Sequence, residues 1–145
     1  MKIIYKLYYM RNKECFFSSF FFLMNAVVAY HYKYYSYSLS FIFLTITSLF
    51  HHYYFNNLTR QIDRVAIILM LYYTILIFYT KFNNKIINYI HILLYSLVCF
   101  FIFYIYIYGY FNNKYCYDTD HTTACLWHSL IHLSISICHI ILVVL

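Results

Sequence analysis

The charged residues of this chain are few, and they leave long uncharged stretches between them. Only 10% of the 145 positions are Asp, Glu, Lys or Arg, whereas a soluble domain has nearer a quarter. About 20 apolar residues in an α-helix cross the roughly 30 Å of hydrocarbon in a bilayer, so each stretch can hold a helix of about that length. The uncharged stretches are residues 15–32, 34–59, 65–80, 86–113 and 121–145.

This pattern predicts an all-α integral membrane protein, a polytopic bundle of about five transmembrane helices in one domain covering residues 1–145. Strands of a membrane β-barrel would alternate with a period of two, and these stretches do not. The first span also resembles a signal peptide, because basic residues precede it, but its length favours a retained helix. The predicted spans are about residues 15–32, 36–55, 65–80, 86–111 and 122–145.

The basic residues indicate a membrane setting rather than a nucleic-acid partner. The net charge is +6, but no basic run or helix face collects it, so we expect no nucleic-acid binding. Lys and Arg lie between the spans and modestly favour a cytosolic N-terminus. We expect membrane lipids as partners and a multi-pass protein of the plasma membrane or the endoplasmic reticulum, which the sequence does not distinguish.

Three groups of polar residues fall inside or at the ends of the predicted spans. Ser48 and His52 lie four residues apart near the end of the second span, and Asp63 opens the third. His128 and His132 lie four apart early in the last span. A spacing of four places both members of a pair on one helix face. Ionisable groups within a membrane are costly and are functional hypotheses by default.

Two histidines at this spacing can share one metal ion, and a third from another helix would complete a site of the catalytic zinc type, which keeps a position open for water. An Asp nearby could orient or deprotonate that water. With five alternating helices, the end of the second span and the starts of the third and fifth share one membrane face. The three polar groups are therefore expected to meet at one depth.

Each of these features also has a structural interpretation. A His-x-x-x-His pair arises easily by chance in a chain with eight histidines. Ser48 is able to bond back to a carbonyl one turn earlier, and Asp63 is able to cap a helix. His51 is interpreted as a neighbour of the ligand rather than the ligand itself. The remaining histidines, interpreted as interfacial or compositional, are His31, His91, His121 and His139.

The order Ser-x-x-x-His, then Asp opening the next helix, then His-x-x-x-His in the last helix resembles the CREST superfamily, which includes alkaline ceramidases and the progestin and adipoQ receptors. The finer resemblance is to its transmembrane protein eight (myomaker-like) family. It is carried by His51-His52 ending an apolar helix, the short loop to Asp63, and the string from His128 to His132. The likeness covers the second, third and last spans.

The resemblance implies a zinc ion held by His52, His128 and His132, with Asp63 and Ser48 as catalytic or supporting groups around it. It implies a seven-helix fold, so five spans indicate a reduced version or a gene sequence that lacks two helices. The expected function is a zinc-dependent lipid amide or ester hydrolase, ceramidase-like or phospholipase-like. The alternatives are a non-enzymatic fusion or receptor protein with a structural or vestigial metal site, and an apolar bundle whose histidines reflect composition.

Overall fold

The computed structural model describes residues 13–54, 56–84 and 89–145, so positions 55 and 86–88 of the predicted spans lie outside it. The described part of the chain is helical and has no strand, which confirms the predicted all-α bundle. A 3₁₀ turn, Tyr115–Tyr117, precedes the last helix. The α-helices are α1 (Lys13–Ser18), α2 (Phe20–His31), α3 (Tyr35–Tyr54), α4 (Asn57–Asn83), α5 (Tyr89–Asn112) and α6 (His121–Val144).

Membrane-spanning length and apolar composition are found together in three parts of the described chain. They are Asn57–Asn83, Tyr89–Tyr117 and His121–Val144. Their outward faces are covered with large exposed apolar side chains, which suit contact with lipid tails, whereas a monomer in water rarely exposes so continuous an apolar surface. The chain is therefore a membrane protein.

The first predicted span is divided into α1 and α2 at Ser19. Around this residue the backbone hydrogen bonds join residues three apart, from Ser19 N to Phe16 O (3.2 Å) and from Phe22 N to Ser19 O (3.1 Å). The Ser18 and Ser19 hydroxyls both donate to the Cys15 carbonyl, at 2.9 and 3.1 Å. Serine side chains that bond back to the preceding turn bend helices. We attribute the division to this pair.

Helix α4 begins eight residues before the predicted third span, because a capping box starts it. The Asn56 side chain accepts from Thr59 N at 2.9 Å, and Asn56 N donates to Thr59 Oγ1 at 3.4 Å. These reciprocal bonds satisfy backbone donors that the first helical turn leaves free. Asp63 consequently lies in the second turn of α4, and the capping role belongs to Asn56.

The core lies between α2, α3, α4 and α6, and α5 packs on one side of it. Tyr37, Phe41 and Leu44 of α3 are at most 1% exposed, as is Leu142 of α6. Apolar side chains of α2 and α4 complete the cluster, and Tyr95 of α5 packs against it. In this arrangement the C-terminal end of α3 lies beside the N-terminal ends of α4 and α6, where the polar residues described next come together.

Candidate metal centre

Three histidines from two helices converge at this end of the bundle. The ring centroids of His52 and His128 lie 5.2 Å apart, those of His52 and His132 5.7 Å, and those of His128 and His132 4.5 Å. One ring nitrogen from each of the three lies within 4.8 Å of the other two. The structure therefore brings together the three residues predicted from the sequence as metal ligands.

The cluster is shielded from solvent. His52 and His132 are each 7% exposed, and His128 is half-buried. The Phe22 ring covers one side of His132, with centroids 4.7 Å apart. Imidazole nitrogens bind a metal in their neutral form, and an apolar surrounding disfavours the charged form that would compete with it.

Ser18, which the sequence did not single out, orients His132. Its Oγ lies 2.9 Å from His132 Nδ1, and its own hydrogen is donated to the Cys15 carbonyl. A serine hydroxyl has a single hydrogen, so Ser18 Oγ accepts from Nδ1–H of His132. That tautomer leaves the Nε2 lone pair of His132 free, which is the arrangement seen where a second partner orients a metal-binding histidine.

Asp63 lies outside the group of mutually close ring nitrogens. Its Oδ1 accepts a hydrogen bond from Thr47 Oγ1 at 3.0 Å. Together with His128 and His132 it lines one cavity. Asp63 is thus positioned by α3 to face the same space as two of the histidines.

Ser48 is turned toward the junction between α1 and α2. It is 2% exposed, and its Oγ lies 2.9 Å from Ser19 Oγ. Ser19 donates its hydrogen to the Cys15 carbonyl, so Ser48 is the donor in this contact. Ser48 does not line the cavity that Asp63 faces. It joins α3 to the segment that carries Ser18.

His51 adjoins the cluster without joining it. Its ring centroid lies 5.3 Å from that of His52, and its Nδ1 lies 3.5 Å from Thr59 Oγ1 in the first turn of α4. The group of mutually close ring nitrogens contains His52 and not His51. The geometry therefore favours His52 as the ligand of this adjacent pair.

The cavity is about 450 Å³ and lies mainly between α4, α5 and α6. Its walls are almost wholly apolar and include Met70, Val98, Ile102 and Ile135. The lining on α6 runs from His128 to His139, a distance of about 16 Å along a helix. It is thus an elongated apolar space with His128, His132 and Asp63 at one end.

The fold and the cluster define a helical membrane protein with three clustered histidines, two of which line one end of an apolar cavity. No protein family, curated protein or solved structure matches the chain. Its function must therefore be inferred from its own residues.

Proposed function

We propose that this chain is a multi-pass membrane protein of about five spans in which His52, His128 and His132 hold a zinc ion, and that it hydrolyses an amide or ester bond of a lipid. The observation that carries the proposal is the convergence of three imidazoles, two of which line one end of an elongated apolar cavity. Membership of the CREST superfamily is part of the proposal and is supported by the order of the motifs along the chain.

The donor set suits zinc. Three neutral imidazoles and an open fourth position are the ligands of a catalytic zinc site. A metal 2.0–2.1 Å from each nitrogen needs nitrogens about 3.4 Å apart, and the three here lie within 4.8 Å of one another. Small rotations of the rings close that difference. Ser18 supports the same assignment, because it holds His132 with Nε2 free.

A bound zinc ion would supply Lewis acidity that activates water for attack on a carbonyl. The residues of the chain have their own tasks in such a reaction. Thr47 holds Oδ1 of Asp63, which fixes the direction of the carboxylate and leaves Oδ2 to take up a proton. A general base held in this way accelerates proton transfer by about 10²- to 10⁴-fold.

Ser48 is assigned a positioning role in this scheme. Its hydroxyl donates to Ser19, and Ser18 and Ser19 share the Cys15 carbonyl as acceptor. Through this short network Ser48 supports the contact between Ser18 and His132. It acts on the metal centre through neighbours rather than on the reacting atoms.

The apolar cavity is the reason for proposing a lipid as the substrate. A hydrocarbon chain gains free energy when it is buried among side chains such as Met70 and Ile135, and a chain lying along the cavity would place its carbonyl beside His128 and Asp63. The bond to be cleaved would then lie where the metal and the carboxylate meet.

Metal analysis of the detergent-purified full chain tests the proposal. We expect about one zinc per chain in the wild type and none in the His128→Ala/His132→Ala double variant. His31→Ala, at the end of α2 far from the cluster, serves as the matched control and should keep its zinc. Wild-type protein that stays metal-free and folded after purification in zinc-containing buffer would refute the metal site.

The hydrolase assignment needs a separate assay. Zinc-loaded wild type should release fatty acid from ceramide or phospholipid in mixed micelles, and the double variant should not. Zinc without turnover would favour the second candidate, a non-enzymatic membrane protein with a structural metal, in keeping with a fusion or receptor role. The observation that favours this candidate is that the cluster joins α3 to α6. In that case chelation would lower the unfolding temperature.

A further inference from the structure

Polar side chains line the end of the cavity far from the histidine cluster. Thr74 of α4, Tyr95 of α5 and His139 of α6 line this end. Between them and the cluster, the lining is formed by apolar side chains on all three helices. The cavity thus has one end lined by histidines of the cluster and a second polar end, separated by an apolar middle.

The hydrogen atoms in the contacts at this polar end can be assigned. Thr74 Oγ1 donates to the Met70 carbonyl at 2.9 Å, so it accepts from the Tyr37 hydroxyl, 3.0 Å away. Tyr37 has then used its only hydrogen and accepts from Nδ1–H of His139 at 2.5 Å. The result is a directed chain from His139 to Tyr37 to Thr74 to the α4 backbone.

These contacts tie α3, α4, α5 and α6 together at one level. The chain just described joins α6, α3 and α4, and the Tyr95 hydroxyl donates to the Cys138 carbonyl at 2.6 Å, which joins α5 to α6. Tyr37 and His139 are 1% and 6% exposed. Separating buried hydrogen-bond partners leaves unsatisfied groups in an apolar setting, which is costly. A hydrocarbon chain that reached this level would therefore stop.

We infer that the cluster of Tyr37, Thr74 and His139 is the floor of the cavity and sets the longest acyl chain that the protein accepts. The inference rests on the proposed function for the identity of the occupant, an acyl chain with its carbonyl at the histidine end. It adds that His139 and Tyr37 determine specificity and take no part in the reaction. The distance from the level of His128 to that of His139, about 16 Å, limits the length of the acyl chain.

The role of the floor is tested by measuring which fatty acids bind, without measuring turnover. Straight-chain fatty acids of increasing length, each with a diazirine on the terminal carbon, are photocrosslinked to the full chain in nanodiscs, and the labelled residues are mapped by mass spectrometry. For wild type we expect labelling at α3, α4 and α6 around the floor, rising with length and then falling sharply. One methylene too many in a closed apolar site changes binding about 10-fold or more.

Two kinds of variant make the test decisive. His139→Ala opens the floor, so the ratio of labelling by a longer acid to that by the best wild-type acid should rise about 10-fold or more. Val98→Trp fills the middle of the cavity and should shift the optimum to shorter acids. Leu97→Trp, on the adjacent position that is 56% exposed, is the matched control and should leave the optimum unchanged.

The outcomes separate this inference from the proposed function. If His139→Ala does not fold, the comparison of Val98→Trp with Leu97→Trp still shows whether the length of the cavity limits the length of the bound acyl chain. Labelling that is independent of length in wild type, or that is equal in these two tryptophan variants, overturns the inference, as does labelling confined to the lipid-facing surface. Zinc content, measured on the same samples, reports on the metal site independently of chain length.

Discussion

The Oγ atom of Ser18 lies 2.9 Å from Nδ1 of His132, although 114 positions separate the two residues in the sequence. This contact links the first described helix to the last, and it fixes which nitrogen of His132 carries hydrogen. A metal-binding histidine that loses such a partner still has a lone pair but is less well oriented. Ser18 therefore connects the packing of α1 against α6 to the chemistry of the cluster.

We expect Ser18→Ala to weaken zinc binding about 10- to 100-fold while leaving the three histidines in place. Competition titration with a zinc chelator of known affinity measures the change. Ser40→Ala is the control, because Ser40 is also buried and its hydroxyl donates to the Tyr37 carbonyl, far from the cluster. Equal zinc affinity in wild type and Ser18→Ala would show that this serine does not orient a ligand.

Asp63→Asn should separate metal binding from hydrolysis. Asparagine keeps an oxygen that can accept from Thr47 but is a poor proton acceptor, so zinc content should stay at the wild-type level. Turnover of the lipid substrate should fall about 10²- to 10⁴-fold. Zinc analysis and fatty-acid release are measured on the same preparation. Loss of zinc along with turnover would instead make Asp63 a ligand.

The fold class follows from the sequence because it depends on how the charged residues are spaced along the chain. Long uncharged stretches exclude a water-soluble arrangement and leave helices as the simplest solution in lipid. The convergence of His52 with His128 and His132 was also predictable. The spacing of four fixes one helix face, and the alternation of spans fixes the end of the bundle.

Other features depend on packing that no local pattern records. Ser18 and Ser19 look like ordinary polar positions in an apolar stretch, and their effect on α1 and α2 arises from which carbonyl and which helix they meet. The early start of α4 was missed because the capping pair of Asn56 and Thr59 lies in a polar segment interpreted as a loop. His139 gave no signal, since its partner Tyr37 is 102 positions away.

Ser48→Ala should reduce stability and leave zinc stoichiometry unchanged. The variant loses one buried hydrogen bond, to Ser19, and deletion of such a bond costs about 1 kcal/mol of unfolding free energy. Thermal unfolding in detergent, with and without zinc, measures the effect. Loss of catalysis in a variant with wild-type stability and zinc affinity would show that Ser48 contacts the reacting atoms, contrary to the positioning role.

Zinc occupancy should fall as the pH falls. Protons and the metal compete for the same nitrogen lone pairs, so binding releases protons and lower pH favours the metal-free form. We expect full occupancy at about pH 8 and progressive release of zinc as the pH is lowered through the acid range. Equilibrium dialysis against zinc across this pH range measures the occupancy. Asp63→Asn should give the same curve, because Asp63 lies outside the group of ligand nitrogens.

Gly109→Ala should destabilise the protein because the backbone of the following segment presses on this position. A Cβ added at Gly109 would lie 2.6 Å from the Lys114 carbonyl oxygen, and Lys114 N donates to the Gly109 carbonyl at 3.1 Å. Relief of the clash must move the turn at Tyr115, whose ring packs on Trp127 with centroids 4.7 Å apart, next to His128.

Gly109→Ala has two opposing effects on stability, so whether the unfolding temperature rises or falls shows which effect is larger. Alanine is a better helix former than glycine by about 1 kcal/mol, whereas forcing an extra carbon into a packed site costs about 1–3 kcal/mol. Because the opposing atom belongs to the backbone, we expect the clash to exceed the gain and the unfolding temperature in detergent to fall. Zinc affinity should fall with it, since the shift reaches the start of α6. A higher unfolding temperature would mean that the Asn113–Lys114 segment does not pack against Gly109 and that α6 is positioned without it.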